Sequence, residues 1–82
     1  MASKKILIVD DDAILCESLC EQLQLHEEFE TVVSGTARDA LEQIKHHYLD
    51  AVLLDVGLPD MDGRETCRLM RRGGVKVPII ML

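Results

Sequence analysis

Short apolar runs alternate with amphipathic stretches along this chain, and that alternation predicts an α/β fold with a parallel sheet. Three observations carry the prediction. Ile6-Leu7-Ile8-Val9 and Ala51-Val52-Leu53-Leu54 are uninterrupted apolar runs of strand length, as strands buried on both faces tend to be. Each run stops abruptly at acid: Asp10-Asp11-Asp12 after the first, Asp55 after the second. The stretches around them place apolar residues at helical spacing. Parallel strands end on one edge of the sheet, and in open α/β sheets ligands bind outside that edge.

Taken in order, Lys4 and Lys5 lead into a first strand, Ile6 to Val9. Asp12 is placed to cap a first helix, Ala13 to about Leu25. Its buried stripe is Cys16, Leu19, Cys20 and Leu23. Cys16 and Cys20 stand one turn apart, as a metal pair would. No His or Cys partner is near them in sequence, and free cysteine is common in cores, so the core reading is preferred. His26-Glu27-Glu28 is a polar connection to a second strand, Phe29 to Val33, which Glu30 and Thr31 mark as edge-like. Ser34-Gly35 breaks it. Thr36 caps a second helix, with Asp39 three residues on, and Ala37, Ala40, Leu41, Ile44 and Tyr48 form its stripe. His46 and His47 point apart on a helix, so they suit a solvated last turn rather than a shared metal.

The third strand, Ala51 to Leu54, runs into a loop marked by Gly57, Pro59 and Gly63. Asp62 with Glu65 reads as a capping pair for a third helix, Gly63 to Arg72, which makes Asp62 structural. Cys67 and Met70 face inward, while Arg64, Arg68, Arg71 and Arg72 form a solvated outer face. Gly73-Gly74 ends the helix, and Pro78 opens a fourth strand, Ile79 to Leu82.

The chain has 82 residues, enough for one domain over 1–82. A chain this short buries only about 60–65% of its unfolded surface, so its stability is expected to be marginal. The net charge of −6 argues against nucleic acid as a partner of this chain. No apolar stretch is long enough to cross a membrane, and the apolar run after Lys5 is too short for a secretory signal. Three cysteines outside any metal pattern fit a reduced, cytoplasmic setting.

If the first and third strands are neighbours, Asp10, Asp11 and Asp55 converge. Converging carboxylates repel, and each is pushed toward its protonated form. A hard divalent cation relieves this, and Mg²⁺ suits because it takes oxygen ligands and keeps waters that a phosphate can share. The stretch Ile6 to Asp12, followed by Asp55 to Gly63, resembles the receiver domain of bacterial two-component response regulators. The resemblance runs the whole length of the chain, which stops after the fold's fourth strand.

That resemblance implies a flavodoxin-like parallel sheet in the order 2-1-3-4, with helix four, strand five and helix five outside these residues. It implies that Asp10 and Asp11 hold Mg²⁺ and that Asp55 accepts a phosphoryl group. The donor would be a sensor histidine kinase or phosphotransfer protein. The backbone carbonyl of Gly57 would also touch the metal. The function implied is signalling by a phosphoacceptor, not enzymatic turnover, in a parent protein that could carry a DNA-binding output domain.

Two of the family's phosphate contacts, a Ser or Thr after strand four and a Lys after strand five, have no counterpart here. Thr66 lies on the third helix and Lys76 precedes the fourth strand. Phosphorylation of the 82-residue chain is therefore expected to be impaired. An alternative is a Mg²⁺-dependent phosphatase of the haloacid-dehalogenase type. That type needs a second acid two residues after its nucleophile, where this chain has Gly57. A third reading is a truncated module that only folds and associates. Strand four would present an apolar edge, and the sheet face beside helix one would be partly bare, so a homo-oligomer through those surfaces is expected.

Overall fold

The structure is a computed structural model and describes residues 3–26 and 28–82. Met1 and Ala2 of the leading segment and Glu27 of the polar connection lie outside the described residues. The elements are β1 (Lys4–Val9), α1 (Ala13–Gln24), β2 (Phe29–Ser34), α2 (Ala37–Gln43), β3 (Ala51–Leu54), α3 (Gly63–Arg72) and β4 (Ile79–Met81). All strands pair in parallel in the order β2-β1-β3-β4, the predicted flavodoxin-like arrangement. The edge-like second strand is indeed at an edge.

The helices divide between the two faces of the sheet, as the right-handed crossover rule requires for this strand order. On one face α2 and α3 close over Leu7, Val9, Val52 and Leu54, with Ala37, Ala40 and Met70 from the helices, all fully buried. On the other, α1 lays Cys16, Leu19, Cys20 and Leu23 against Ile6 and Ile8. The alternation along β1 is the strand period of two, with odd residues facing one layer and even residues the other.

The expected bounds shift where backbone pairing and side-chain hydropathy diverge. β1 begins at Lys4, because the Lys4 amide donates to Glu28 O at 2.6 Å and the Lys5 amide to Asp50 Oδ2 at 2.8 Å. β3 is not buried on both faces throughout. Val52 and Leu54 are buried, whereas Ala51 and Leu53, facing the α1 layer, are half-buried. Tyr48 does not belong to the α2 stripe and is 99% exposed. Lys45 and His46 close back by i→i−3 bonds to Glu42 O and Gln43 O, which break the helical period before Tyr48 is reached.

The capping reading holds for Asp12, which accepts from Ile14 and Leu15 N, and for Thr36, which accepts from Asp39 N. Asp62 caps α3 through Arg64 N at 2.7 Å, but Glu65 pairs with Arg68 instead of reaching back to complete a capping box. Arg71 is exposed yet not merely solvated. Its guanidinium donates to Val75 O at 3.1 Å and Val77 O at 2.7 Å, fastening the turn after Gly73. Gly74, at φ +98°, supplies the left-handed residue that this turn requires.

Candidate functional site

The sheet register brings the acids together. Val9 pairs with Leu54, and the Asp55 amide donates to Val9 O at 2.8 Å, so Asp55 emerges beside the residue that follows β1. Asp10 is held from its other side, its amide donating to Ser34 O at 3.0 Å. Ligand atoms of Asp10, Asp11 and Asp55 all lie within 4.8 Å of one another. Among the described residues this is the one grouping of three or more acidic, His or Cys side chains close enough to share an ion.

The three differ in environment. Asp10 is buried, Asp55 half-buried and Asp11 exposed. Burial pushes the Asp10 carboxyl above its ordinary value, and the charges of Asp55, Asp11 and Asp12 push the same way. The Asp12 amide, donating to Asp10 Oδ1 at 2.9 Å, works against them. Asp55 Oδ1 accepts from the Gly57 amide at 3.0 Å, a short turn that leaves its other oxygen free of this bond. Gly57 is exposed at that turn, adjacent to the acid cluster.

A hard cation fits this donor set. Oxygens bound to one Mg²⁺ at ~2.0–2.1 Å can be no more than ~4.2 Å apart, so small carboxylate rotations suffice to bring the three into one shell. The histidines take no part. His46 Nε2 is 3.2 Å from Glu42, and His47 Nε2 is 3.1 Å from Gln43. Cys16, Cys20 and Cys67 are free cysteines, and the buried Cys16 thiol donates to Asp10 O at 3.4 Å.

Two further residues shape the loop after Asp55. Gly63 is buried, and its amide closes the loop onto Val56 O at 3.0 Å. A Cβ at this position would sit 2.5 Å from Val56 Cα and 2.6 Å from Asp55 O, so no other residue fits without moving the Asp55 backbone. Asp60 was silent in the sequence. Its carboxylate accepts from Ala37 N at 2.9 Å and Arg38 N at 3.0 Å, capping α2 from a distant loop. Those two bonds hold its carboxyl below the ordinary value. No local pattern could reveal it, since its partners lie more than twenty positions upstream.

Fold and site together define a doubly wound α/β domain with a carboxylate cluster at the carboxyl edge of its sheet. The response regulator receiver domain family matches residues 6–82. The chain belongs to that family, as a receiver domain of a two-component response regulator. It is 44% identical over 79 residues to the DNA-binding response regulator MtrA of Mycolicibacterium paratuberculosis, covering 96% of this chain and 34% of that protein. It is 40% identical over 78 residues to the response regulator MprA of Mycolicibacterium vanbaalenii, covering 95% and 33%.

The chain therefore spans about a third of the length of these relatives. Among solved structures, the BeF3-activated N-terminal receiver domain of Klebsiella pneumoniae RstA matches with TM-score 0.87 and 35% identity, over 95% of this chain and 65% of that one. A CheY-like receiver domain from Methanospirillum hungatei matches with TM-score 0.87 and 32% identity, over 98% and 63%. No helix of the described residues is long and apolar enough to cross a membrane.

Proposed function

We propose that Asp55 is a phosphoacceptor, taking a phosphoryl group from the histidine of a sensor kinase or phosphotransfer protein. The observation that carries this reading is the convergence of Asp10, Asp11 and Asp55 from two neighbouring strand ends. In the transfer, an Asp55 carboxylate oxygen attacks phosphorus, the phosphorus–nitrogen bond breaks, and its electron pair returns to the donor imidazole. The product is an acyl phosphate. Asp10, Asp11, Asp55 and the Gly57 carbonyl would hold Mg²⁺, which supplies charge neutralisation to the carboxylates and the transferring group. The turn from Gly57 N to Asp55 Oδ1 orients the nucleophile, and positioning with electrostatics supplies nearly all catalysis of this reaction.

The domain at residues 1–82 is read as the N-terminal portion of a receiver, acting in the cytoplasm. It is a signalling domain that at most catalyses its own phosphorylation. Some of its relatives are named DNA-binding response regulators, and a DNA-binding output region is proposed for its parent protein as well. The net charge of −6 makes this segment itself unsuited to nucleic acid. As an isolated polypeptide, the 82 residues are proposed to associate through β4, where Ile80 and Met81 are exposed, and through the half-covered face beside α1.

A Mg²⁺ titration followed by amide NMR tests the site. Resonances of Asp10, Asp11, Asp55 and Gly57 are expected to move first. Shifts centred on Glu28 or the histidines would overturn the assignment.

A further inference from the structure

Asp60 lies in the loop between Asp55 and α3, yet its hydrogen bonds go to α2. The first N–H groups of a helix have no intrahelical partner. In α2, Thr36 Oγ1 satisfies only Asp39 N. Asp60 satisfies the two before it, Oδ1 taking Ala37 N and Oδ2 taking Arg38 N. Thus one carboxylate, both oxygens engaged, ties the loop carrying Asp55 and Gly57 to the start of α2.

The other end of that connection leads back to the site. α2 follows β2 through Gly35 and Thr36, and the last residue of β2, Ser34, accepts the Asp10 amide at 3.0 Å. Asp55 in turn donates its amide to Val9 O. A ring of contacts therefore closes around the carboxyl edge: Asp10 to Ser34, along the turn to Ala37 and Arg38, across to Asp60, and back along the loop to Gly57 and Asp55. The sheet fixes where Asp10 and Asp55 leave their strands. Asp60 fixes the loop beyond.

We propose that Asp60 is a positioning residue, setting the separation between the Asp10-Asp11 loop and the Asp55-Gly57 loop for metal binding. This rests on the reading of those residues as the Mg²⁺ site. Groups that orient ligands without touching the ion commonly influence affinity this way.

The test is a Mg²⁺ titration of the intact chain by amide NMR, with Mg²⁺ alone as the probe and all variants folded at the temperature used. Asp60→Ala is expected to raise the midpoint concentration about tenfold, the low end of what loss of an orienting partner costs. Arg38→Pro removes the N–H held by Asp60 Oδ2, one of the clamp's two bonds, at a first-turn position whose amide has no intrahelical partner. It also removes a cation, which on charge alone tightens Mg²⁺, so a weaker midpoint there reports the clamp and not the field.

Asp11→Asn serves as control for the site. If Asp11→Asn weakens Mg²⁺ while Asp60→Ala and Arg38→Pro leave it unmoved, the positioning role is wrong and the site reading stands. A merely structural Asp60 would give that result together with a lower urea midpoint. If Asp11→Asn leaves the midpoint unmoved, the site reading falls, and the positioning role with it. Should Asp60→Ala fail to fold, Arg38→Pro alone decides.

Discussion

Replacing Asp10 by Asn is expected to make the metal-free domain more stable, although it alters a buried residue at the heart of the site. The carboxylate faces two others with ligand atoms within 4.8 Å. At that separation one like-charge pair costs ~0.9 kcal/mol in water and ~3.5 kcal/mol at an effective dielectric of about 20. Asp11 is exposed and Asp55 half-buried, which sets each pair toward the lower figure. Asparagine keeps the Oδ1 acceptor for the Asp12 amide, so the bond at 2.9 Å survives in weaker, uncharged form.

A net gain of about 1–2 kcal/mol follows, and each kcal/mol is worth about 4–8 °C in Tm for a domain of this size. The sign with pH is fixed by the raised Asp10 carboxyl. A proton bound more tightly in the folded state means a folding penalty above the raised value, absent where Asp10 is protonated in both states. The gain from Asn is therefore full at neutral pH and vanishes below about pH 4. Thermal unfolding with and without Mg²⁺ measures it. Wild type is expected to gain stability from Mg²⁺ by mass action and the variant to gain little, so their order narrows or reverses. A variant less stable than wild type without metal, or one equally responsive to Mg²⁺, would refute the reasoning.

Gly63→Ala places a Cβ 2.5 Å from Val56 Cα, and urea unfolding should show a loss of about 2–3 kcal/mol or outright failure to fold. An unchanged midpoint would mean that the loop is looser than described. Asp60, with its carboxyl lowered chiefly by the Ala37 and Arg38 amides, contributes stability above its unfolded value near about pH 4 and loses it as pH falls through the folded value. The urea-midpoint gap between wild type and Asp60→Asn should thus shrink on acidification; a gap that widens contradicts the clamp. Sedimentation of the 82-residue polypeptide at micromolar concentration is expected to show dimers or larger species, and a well-dispersed monomer would dismiss association through β4.

Most of the fold was legible because its signals are local. The runs ending at Asp10 and Asp55 located two strands and the carboxyl edge they share, and Asp12, Thr36 and Asp62 announced their helices by short-range caps. The acid cluster followed from strand neighbourship, which the register of Val9 with Leu54 realises. The misses share the opposite property. Tyr48 left its stripe because a tightened turn broke the helical period, and Glu65 found Arg68 within its own helix rather than the cap. Asp60 engages amides of another element, a pairing only the tertiary fold creates.

The proposed phosphoacceptor role of Asp55 is tested most directly by chemical phosphorylation without any kinase. The chain and its Asp55→Asn variant would be incubated with phosphoramidate and Mg²⁺, and the product mapped by mass spectrometry of intact protein and peptides. Amides are not nucleophiles, so the variant should stay unlabelled. Wild type is expected to gain one phosphoryl group on Asp55, slowly, because these 82 residues provide no match to the family's Ser/Thr and Lys phosphate contacts, and only when Mg²⁺ is present. Label on another residue, or label undiminished in Asp55→Asn, would contradict the assignment.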